Sequence, residues 1–157
     1  MEKRNVTVSA IVAAIVLIGD QLSKHWAETW LRTNGEYKIW DGVLHLRYVE
    51  NRGAAFGMMQ GGKWFFLAIT GIACAAMLYF LIKERKRLHF MMTFSIALLL
   101  SGAIGNLIDR VALGYVRDMI YVALIDFAVF NVADMAVTVG CCLLVLDLLF
   151  FKGKKYM

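Results

Sequence analysis

Carboxyl and amide side chains interrupt the long apolar stretches of this sequence at only a few places. Asn131 and Asp134 are three residues apart at the start of one such stretch, so they share a helical face. An ionised side chain within a membrane helix costs about 2.5–3.5 kcal/mol, and Asp134 has no basic residue within four positions on either side. Asp134 must therefore be protonated, meet a partner from another segment, or face a wet cavity.

A second carboxylate from a nearby segment would give Asp134 both a partner and a wet cavity. One candidate is Asp118, which lies 16 residues before Asp134. Two close carboxyl groups cannot both ionise, so the pair shares a proton. The ionised member can activate water while the protonated member donates to a carbonyl, which is the chemistry of an aspartic protease. Spacing alone leaves Asp109 and Asp126 as competitors of Asp118.

The other polar residues of the apolar stretches also follow helical spacing. Asp20 and Lys24 are at positions i and i+4 and can form a pair, for which we expect a structural role. Asn106, Asp109 and Arg110 occur at i, i+3 and i+4 at the end of another stretch. For Arg110 we expect an ion pair with Asp109 or anchoring at lipid headgroups, and for Asp147 an interfacial position.

Other kinds of catalytic site have weaker support. Ser101 would need a nearby imidazole, and no HExxH or glycine-rich phosphate motif occurs. The cysteines lie in apolar helix without a CxxC pair or a neighbouring histidine, so we interpret Cys74, Cys141 and Cys142 as packing residues. The sequence therefore predicts no metal site and no cofactor.

The elements that must position these residues are predicted from hydropathy. The chain has 157 residues, 61% of them hydrophobic, with a mean hydropathy of +0.64, which is more than a small soluble core can bury. We predict an all-α membrane protein in which one domain, 1–157, contains four transmembrane helices. Their approximate bounds are 6–31, 64–82, 90–109 and 130–151.

Basic residues cluster at three helix ends, namely the N-terminus, the 83–89 link and the C-terminal segment after residue 151. The positive-inside rule places these three segments in the cytoplasm. The net charge of +5 is thus a topology signal, and no nucleic-acid partner is expected. The connections 36–57 and 110–128 are then outside, with every polar site residue near the outer end of its helix.

The outer segment 36–57 contains β-branched and aromatic residues in partial alternation around the turn signal Asp41-Gly42. It predicts a small β-like extracytoplasmic cap. The outer link 110–128 mixes charged and apolar residues, and we expect a short helix or loop lying along the membrane surface.

The motifs in their order along the chain resemble one family. They are "DQLSK" at 20–24, "NRGAAFG" at 51–57, "GNLIDR" at 105–110, "VRDM" at 116–119 and "FNVADMAVTVG" at 130–140. The sequence resembles the bacterial lipoprotein signal peptidases (signal peptidase II), and the resemblance covers most of the chain. Two positions depart from the family pattern: Met119 replaces the common Phe, and Ala128-Val129 stand where a proline often occurs.

The resemblance implies a metal-free aspartyl peptidase of the bacterial plasma membrane, working among membrane lipids and without a cofactor. Such an enzyme removes the signal peptide of a lipid-modified prolipoprotein just before a diacylglyceryl-bearing cysteine. The resemblance assigns catalysis to Asp118 and Asp134. It implies supporting or substrate-binding roles for Asp20, Lys24, Asn51, Gly53, Asn106, Asp109, Arg110 and Asn131.

Two other functions remain open from the sequence. Intramembrane carboxylates also serve proton relays, so a proton-coupled or ion-conducting protein is the second hypothesis. It would require polar groups across the bilayer, whereas the inner halves of these helices carry few apart from Asp147. A non-catalytic helical scaffold is the third hypothesis. We expect the protein to act as a monomer.

Overall fold

The computed structural model describes residues 3–53, 62–84 and 87–150 and consists mainly of long helices. Four of these helices are long and apolar enough to cross a membrane, as the sequence predicts. Each lies within a few residues of its predicted bounds. In chain order they are α1 (Lys3–Trp26), α2 (Lys63–Lys83), α3 (Phe90–Ala112) and α4 (Val132–Phe150).

The first helix continues beyond its α-helical part. A π-helical turn covers Ala27–Leu31, and a last α-helical turn covers Arg32–Asn34. The candidate span is therefore 30 residues long, Asn5–Asn34, whereas roughly 20 residues cross a bilayer. The extra turns pack against the sheet.

Three antiparallel strands form that sheet in the order β1-β2-β3. They are β1 (Tyr37–Trp40), β2 (Leu44–Asn51) and β3 (Val116–Val122). The predicted turn between the first two strands has Gly42 at φ 73°, a value that suits glycine. The sheet packs on the π-helical turn, where Met119 of β3 contacts the buried Ala27 and Leu31.

The 110–128 link differs from the helix or loop that the sequence predicted. Its first residues, 110–112, belong to the end of α3, strand β3 occupies Val116–Val122, and the 3₁₀ turn Ala123–Ile125 follows. The strand forms because its β-branched and aromatic residues suit a half-buried sheet and because the edge of β2 offers partners for its backbone amides. In the resulting register Asp118 lies opposite Val49. Residues 54–57 of the predicted cap lie outside the described residues.

Helix α3 is the most buried of the four spans and packs against α1, α2 and α4. Its buried side includes Ser95, Ser101, Gly102, Gly105 and Asp109. The outward faces of the other helices expose large apolar residues, as a lipid-facing surface does. Cys74 is buried as expected, whereas Cys141 and Cys142 lie on the exposed side of α4.

The close approach of α3 and α4 depends on glycine. A Cβ at Gly102 would lie 2.4 Å from the Ala133 carbonyl oxygen and 2.7 Å from Val137 Cγ2. We expect Gly102→Ala to lower the free energy of unfolding by about 1–3 kcal/mol through overpacking. The matched control is Gly71→Ala, since a Cβ at Gly71 of α2 meets nothing within 4 Å. Thermal unfolding in detergent measures both variants, and equal melting temperatures would contradict the close contact.

Candidate active site

Asp134 lies in the first turn of α4. The helix begins at Val132, two residues after its predicted start, so Asp134 is its third residue rather than several residues inside. Asn131 caps the helix: its Oδ1 accepts a hydrogen bond from the Asp134 backbone N (2.9 Å), while its own backbone N donates to Asp134 Oδ2 (3.2 Å). This reciprocal capping box and the positive end of the helix dipole both favour an ionised carboxylate at Asp134.

Asp118 reaches the same place from strand β3 and is 1% exposed. Its Oδ1 accepts a hydrogen bond from Asn131 Nδ2 (2.6 Å), and its Oδ2 accepts one from Asn51 Nδ2 (3.0 Å). Burial, followed by the charge of Asp134, raises the pKa of Asp118 to about 7, although the two amide hydrogen bonds act in the opposite direction. Asp118 therefore keeps its proton to a higher pH than an ordinary aspartate does.

Asn106 of α3 connects Asp134 to the first helix. Its Oδ1 accepts hydrogen bonds from Lys24 Nζ (2.8 Å) and Asn131 Nδ2 (3.2 Å). Because the oxygen is taken by these donors, the amide nitrogen points the other way and donates to Asp134 Oδ1 (2.8 Å). The buried ammonium of Lys24 thus polarises a donor that stabilises negative charge on Asp134.

Asp20 of α1 pairs with Lys24, as their spacing predicted; Nζ and Oδ2 are 2.9 Å apart and both side chains are fully buried. Its other oxygen, Oδ1, accepts a hydrogen bond from the backbone N of Ala133 (2.9 Å), so α1 caps the second residue of α4. Gly105 makes this approach possible, since a Cβ there would lie 2.6 Å from Asp20 Oδ2. Asp20 therefore supports the turn that carries Asp134.

Asp109 pairs with Arg117 of β3, and the predicted ion pair with Arg110 is wrong. Arg117 donates to Asp109 Oδ1 through Nη2 (2.7 Å) and to Oδ2 through Nε (3.2 Å) and its backbone N (2.9 Å). Lys24 Nζ lies 3.7 Å from the same carboxylate. The reason is geometric: consecutive helical residues point in different directions, so Arg110 faces another part of the molecule.

Arg110 lies on the side of α3 that holds Asn106. Its guanidinium is 5.1 Å from the centre of the Phe66 ring of α2, and Nη2 donates to the Gly53 carbonyl oxygen (3.3 Å). Arg110 therefore ties α2 and the residues after β2 to the end of α3. Gly53 is thereby linked to Arg110, one of the residues around the carboxylates.

A cavity of about 580 Å³ has both carboxylates in its wall. Its other polar lining residues are Asn51, Asn106, Arg110 and Thr138, and the remainder are Val116, Phe127, Ala128, Val129, Phe130, Met135, Val137 and Val139. The polar end can hold a peptide bond and a water molecule, while the apolar part can hold hydrocarbon side chains or acyl chains.

Two other aspartates that were considered from the sequence, Asp126 and Asp147, lie away from the cavity. Asp126 sits on an exposed turn and accepts a hydrogen bond from the Tyr121 hydroxyl (2.6 Å). Asp147, expected at the interface, is instead 2% exposed and pairs with His89 at the opposite end of α3 and α4. Both are therefore separate from the carboxylates at the cavity.

The family model for signal peptidase (SPase) II matches residues 12–150. This chain belongs to the signal peptidase II family. It is 46% identical over 142 residues to a lipoprotein signal peptidase of Streptococcus thermophilus, covering 90% of this chain and 92% of the relative. It is 44% identical over 146 residues to the one of Clostridioides difficile, covering 92% and 97%.

Two solved structures support the fold of this signal peptidase II. Each is described as a bacterial membrane enzyme structure obtained by the in meso method, at 2.3 Å and 1.9 Å resolution. The first has a TM-score of 0.87 with 35% identity, covering 95% of this chain and 92% of the other. The second has a TM-score of 0.83 with 35% identity, covering 92% and 94%. The chain is a multi-pass membrane protein of a peptidase family.

Part of this signal peptidase II site was missed in the sequence. Arg117 is 9% exposed, and its guanidinium also reaches Glu28 Oε2 (2.9 Å) and Gln21 Oε1 (3.3 Å). The missed signal was Arg117 itself, which lies between the apolar Val116 and the acid Asp118. If this segment is a strand, Arg117 is buried and needs acidic partners around it. A surface helix or loop would leave Arg117 in solvent, so its need for acidic partners was not recognised.

Proposed function

We propose that this chain is an aspartyl endopeptidase that removes the signal peptide from diacylglyceryl-modified prolipoproteins, just before the lipidated cysteine. The observation that carries the proposal is the meeting of Asp118 and Asp134 at one cavity, bridged by Asn131. The family supplies the peptidase class and the kind of substrate. Water, the peptide and the two carboxyl groups suffice for the chemistry, so we propose no metal and no cofactor.

Asp134 is proposed as the base and Asp118 as the acid. The helix N-terminus and the hydrogen bond from Asn106 favour the anion at Asp134, and burial raises the pKa of Asp118 to about 7. In the first step Asp134 takes a proton from water, the water oxygen bonds to the scissile carbonyl carbon, and Asp118 gives its proton to the carbonyl oxygen.

The second step restores the enzyme. Asp134 gives the acquired proton to the amide nitrogen, the carbon–nitrogen bond breaks, and Asp118 recovers a proton from one hydroxyl of the tetrahedral intermediate. The products are a signal-peptide carboxylic acid and an amine on the lipidated cysteine. Both protons return to their starting groups, so the next substrate meets the same pair.

The shape of the cavity suits a lipid-linked peptide. Met135 and Val139 line it and are 48% and 49% exposed on the outside of α4, so the site is accessible from the lipid-facing side of that helix. A substrate already anchored in the bilayer can therefore enter laterally. Ala128 and Val129, where the family often has proline, are wall residues and contribute to the shape of the apolar part.

The proposed orientation places both chain ends and the α2–α3 link in the cytoplasm, with the sheet and the two carboxylates at the outer face of the bacterial plasma membrane. The distribution of basic residues supports it. A cysteine introduced at the exposed Asp41, in a chain lacking its native cysteines, should react with impermeant reagents from outside only. Reaction from the cytoplasmic side alone would reverse the orientation.

The function is tested with purified protein in detergent and two forms of one prolipoprotein, with and without the diacylglyceryl group. With chelator present, we expect release of the signal peptide from the lipidated form and a much lower rate for the unmodified form. The dyad and the cavity come from one chain, so a monomer should suffice. A chelator-sensitive reaction restored by a divalent ion would overturn the mechanism, and equal rates for the two forms would overturn the substrate assignment.

A proton-coupled carrier would distribute its buried acids across the bilayer. Here Asp20, Asp109, Asp118 and Asp134 gather at one end of the helices. At the other end the described residues include a single buried acid, Asp147, which is paired with His89. Cleavage in detergent, where no gradient exists, also distinguishes a peptidase from a carrier or a scaffold.

A further inference from the structure

We propose that Arg117 is a positioning residue, which holds the strand carrying Asp118 against α3 and the π-helical turn of α1. The inference rests on the proposed function, because it concerns the reach of Asp118 toward a scissile peptide. Arg117 is not among the residues that line the cavity, so the inference gives it no contact with substrate. Its effect is exerted through the backbone of β3.

Four contacts fix Arg117 to two helices. The guanidinium binds both carboxylate oxygens of Asp109, at 2.7 and 3.2 Å, and reaches Glu28 at 2.9 Å and Gln21 at 3.3 Å. In addition, its backbone N–H donates to Asp109 Oδ2 at 2.9 Å. The same carboxylate therefore binds the side chain and the main chain of one residue, which fixes the strand at the position next to Asp118.

Strand alternation places Arg117 and Asp118 on opposite faces. Arg117 and Met119 face α1, where Met119 contacts the buried Ala27 and Leu31. Val116 and Asp118 face the cavity. A shift of the strand away from α1 would therefore move Asp118 within the cavity. Only the hydrogen bonds from Asn51 and Asn131 would then keep its carboxyl group in place.

The π-helical turn is the second observation that points to this role. It covers Ala27–Leu31 and therefore contains Glu28, whose Oε2 lies 2.9 Å from Arg117 Nη1. Only a planar fork can bind Asp109 through two nitrogens and still reach Glu28 and Gln21, so lysine is a poor replacement.

The test compares Arg117→Met and Arg117→Lys with wild type, using the diacylglyceryl-modified prolipoprotein and measuring kcat and KM per folded molecule. The control is Lys38→Met, an exposed cation of the same sheet paired with Asp41. A displacement of a catalytic group by roughly 1 Å can cost about 10²-fold in rate, so we expect kcat of Arg117→Met to fall about that much with KM within twofold. Arg117→Lys should recover part of the loss.

A purely structural role would reduce the folded yield and leave kcat per folded molecule unchanged, which would overturn the inference. A loss confined to KM would also overturn it. If Arg117→Met does not fold, the result for Arg117→Lys tests the inference. A wild-type kcat in Arg117→Lys would contradict positioning of Asp118 by the planar guanidinium. Cleavage by wild type and Lys38→Met is required throughout; its absence would overturn the proposed function and this inference together.

Discussion

An Asp134→Asn variant is expected to fold, insert and lose cleavage of lipid-modified precursor by about 10³-fold or more. The amide can still accept the hydrogen bond from the Asn131 backbone, so the first turn of α4 should persist. It cannot take a proton from water or give one to the departing amine. The loss should appear in kcat, because the cavity that binds the substrate keeps its apolar lining.

Asp118→Asn should lose activity to a similar extent, and the double variant should be little worse than either single one, because the two groups act as a unit. The control is Asp126→Asn, an exposed carboxylate whose partner is Tyr121; we expect full activity there. Full activity in a well-folded Asp134→Asn variant would refute the dyad. Near-normal activity in Asp118→Asn, with loss in Asp109→Asn, would transfer the acid role to Asp109.

The folded state of Asp118→Asn can be checked by stability. The folded pKa of Asp118 is raised above its ordinary 3.8 to about 7, so folding favours the protonated form. The stability that this group contributes is full below about pH 4 and is lost as the pH rises through 7. At pH 8 the Asn variant should therefore be at least as stable as wild type, which separates lost chemistry from lost structure.

Lys24→Met is expected to have the largest effect on stability. Lys24 is fully buried and faces Asp20, Asp109 and Asn106 at 2.9, 3.7 and 2.8 Å. Removing the ammonium leaves Asp20 without a balancing charge, whereas Asp109 keeps Arg117, and breaking a buried pair in this way costs about 3–5 kcal/mol. Asn106 also loses the partner that directs its amide toward Asp134, so folded protein that remains should have a lower kcat.

A second substitution tests the cause. In Lys24→Met/Asp20→Asn the surplus charge is removed, while an amide oxygen can still accept the hydrogen bond from Ala133. The double variant should therefore be more stable than Lys24→Met alone. Lys38→Met, which removes an exposed cation, should leave the melting temperature unchanged. Equal melting temperatures for Lys24→Met and wild type would refute the buried charge balance.

Much of the fold could be predicted because local sequence patterns determined it. Long apolar runs give four membrane helices, and the alternation around Asp41-Gly42 gives the first two strands. The sequence predicted that Asp134 has a partner from another segment, because an acid alone in an apolar helix is costly. Asp118 was one of three candidates, with Asp109 and Asp126. The structure selects Asp118, because Asp109 is bound to Arg117 and Asp126 lies on an exposed turn.

The rest depended on tertiary contacts that no local pattern contains. The third strand forms only because β2 offers an edge, so 110–128 looked like a surface segment. The residue at which α4 begins, Val132, depended on Asn131 acting as a cap, although Asn131 was the second residue of the predicted helix. The pairing of His89 with Asp147 joins positions 58 residues apart, which hydropathy cannot predict.

The pH dependence of kcat/KM for wild-type protein acting on lipidated precursor most directly tests whether two carboxyl groups share the acid and base roles. The charged groups facing Asp118 are Asp134 of α4, Arg110 of α3 and Lys24 of α1. We predict a bell-shaped profile: kcat/KM falls as the pH rises through about 7, because the dyad loses the proton that Asp118 must donate, and falls at low pH, because the dyad takes up a second proton. A rate that rises through pH 7 to a plateau would contradict the dyad, since it would indicate a single base without an acid partner.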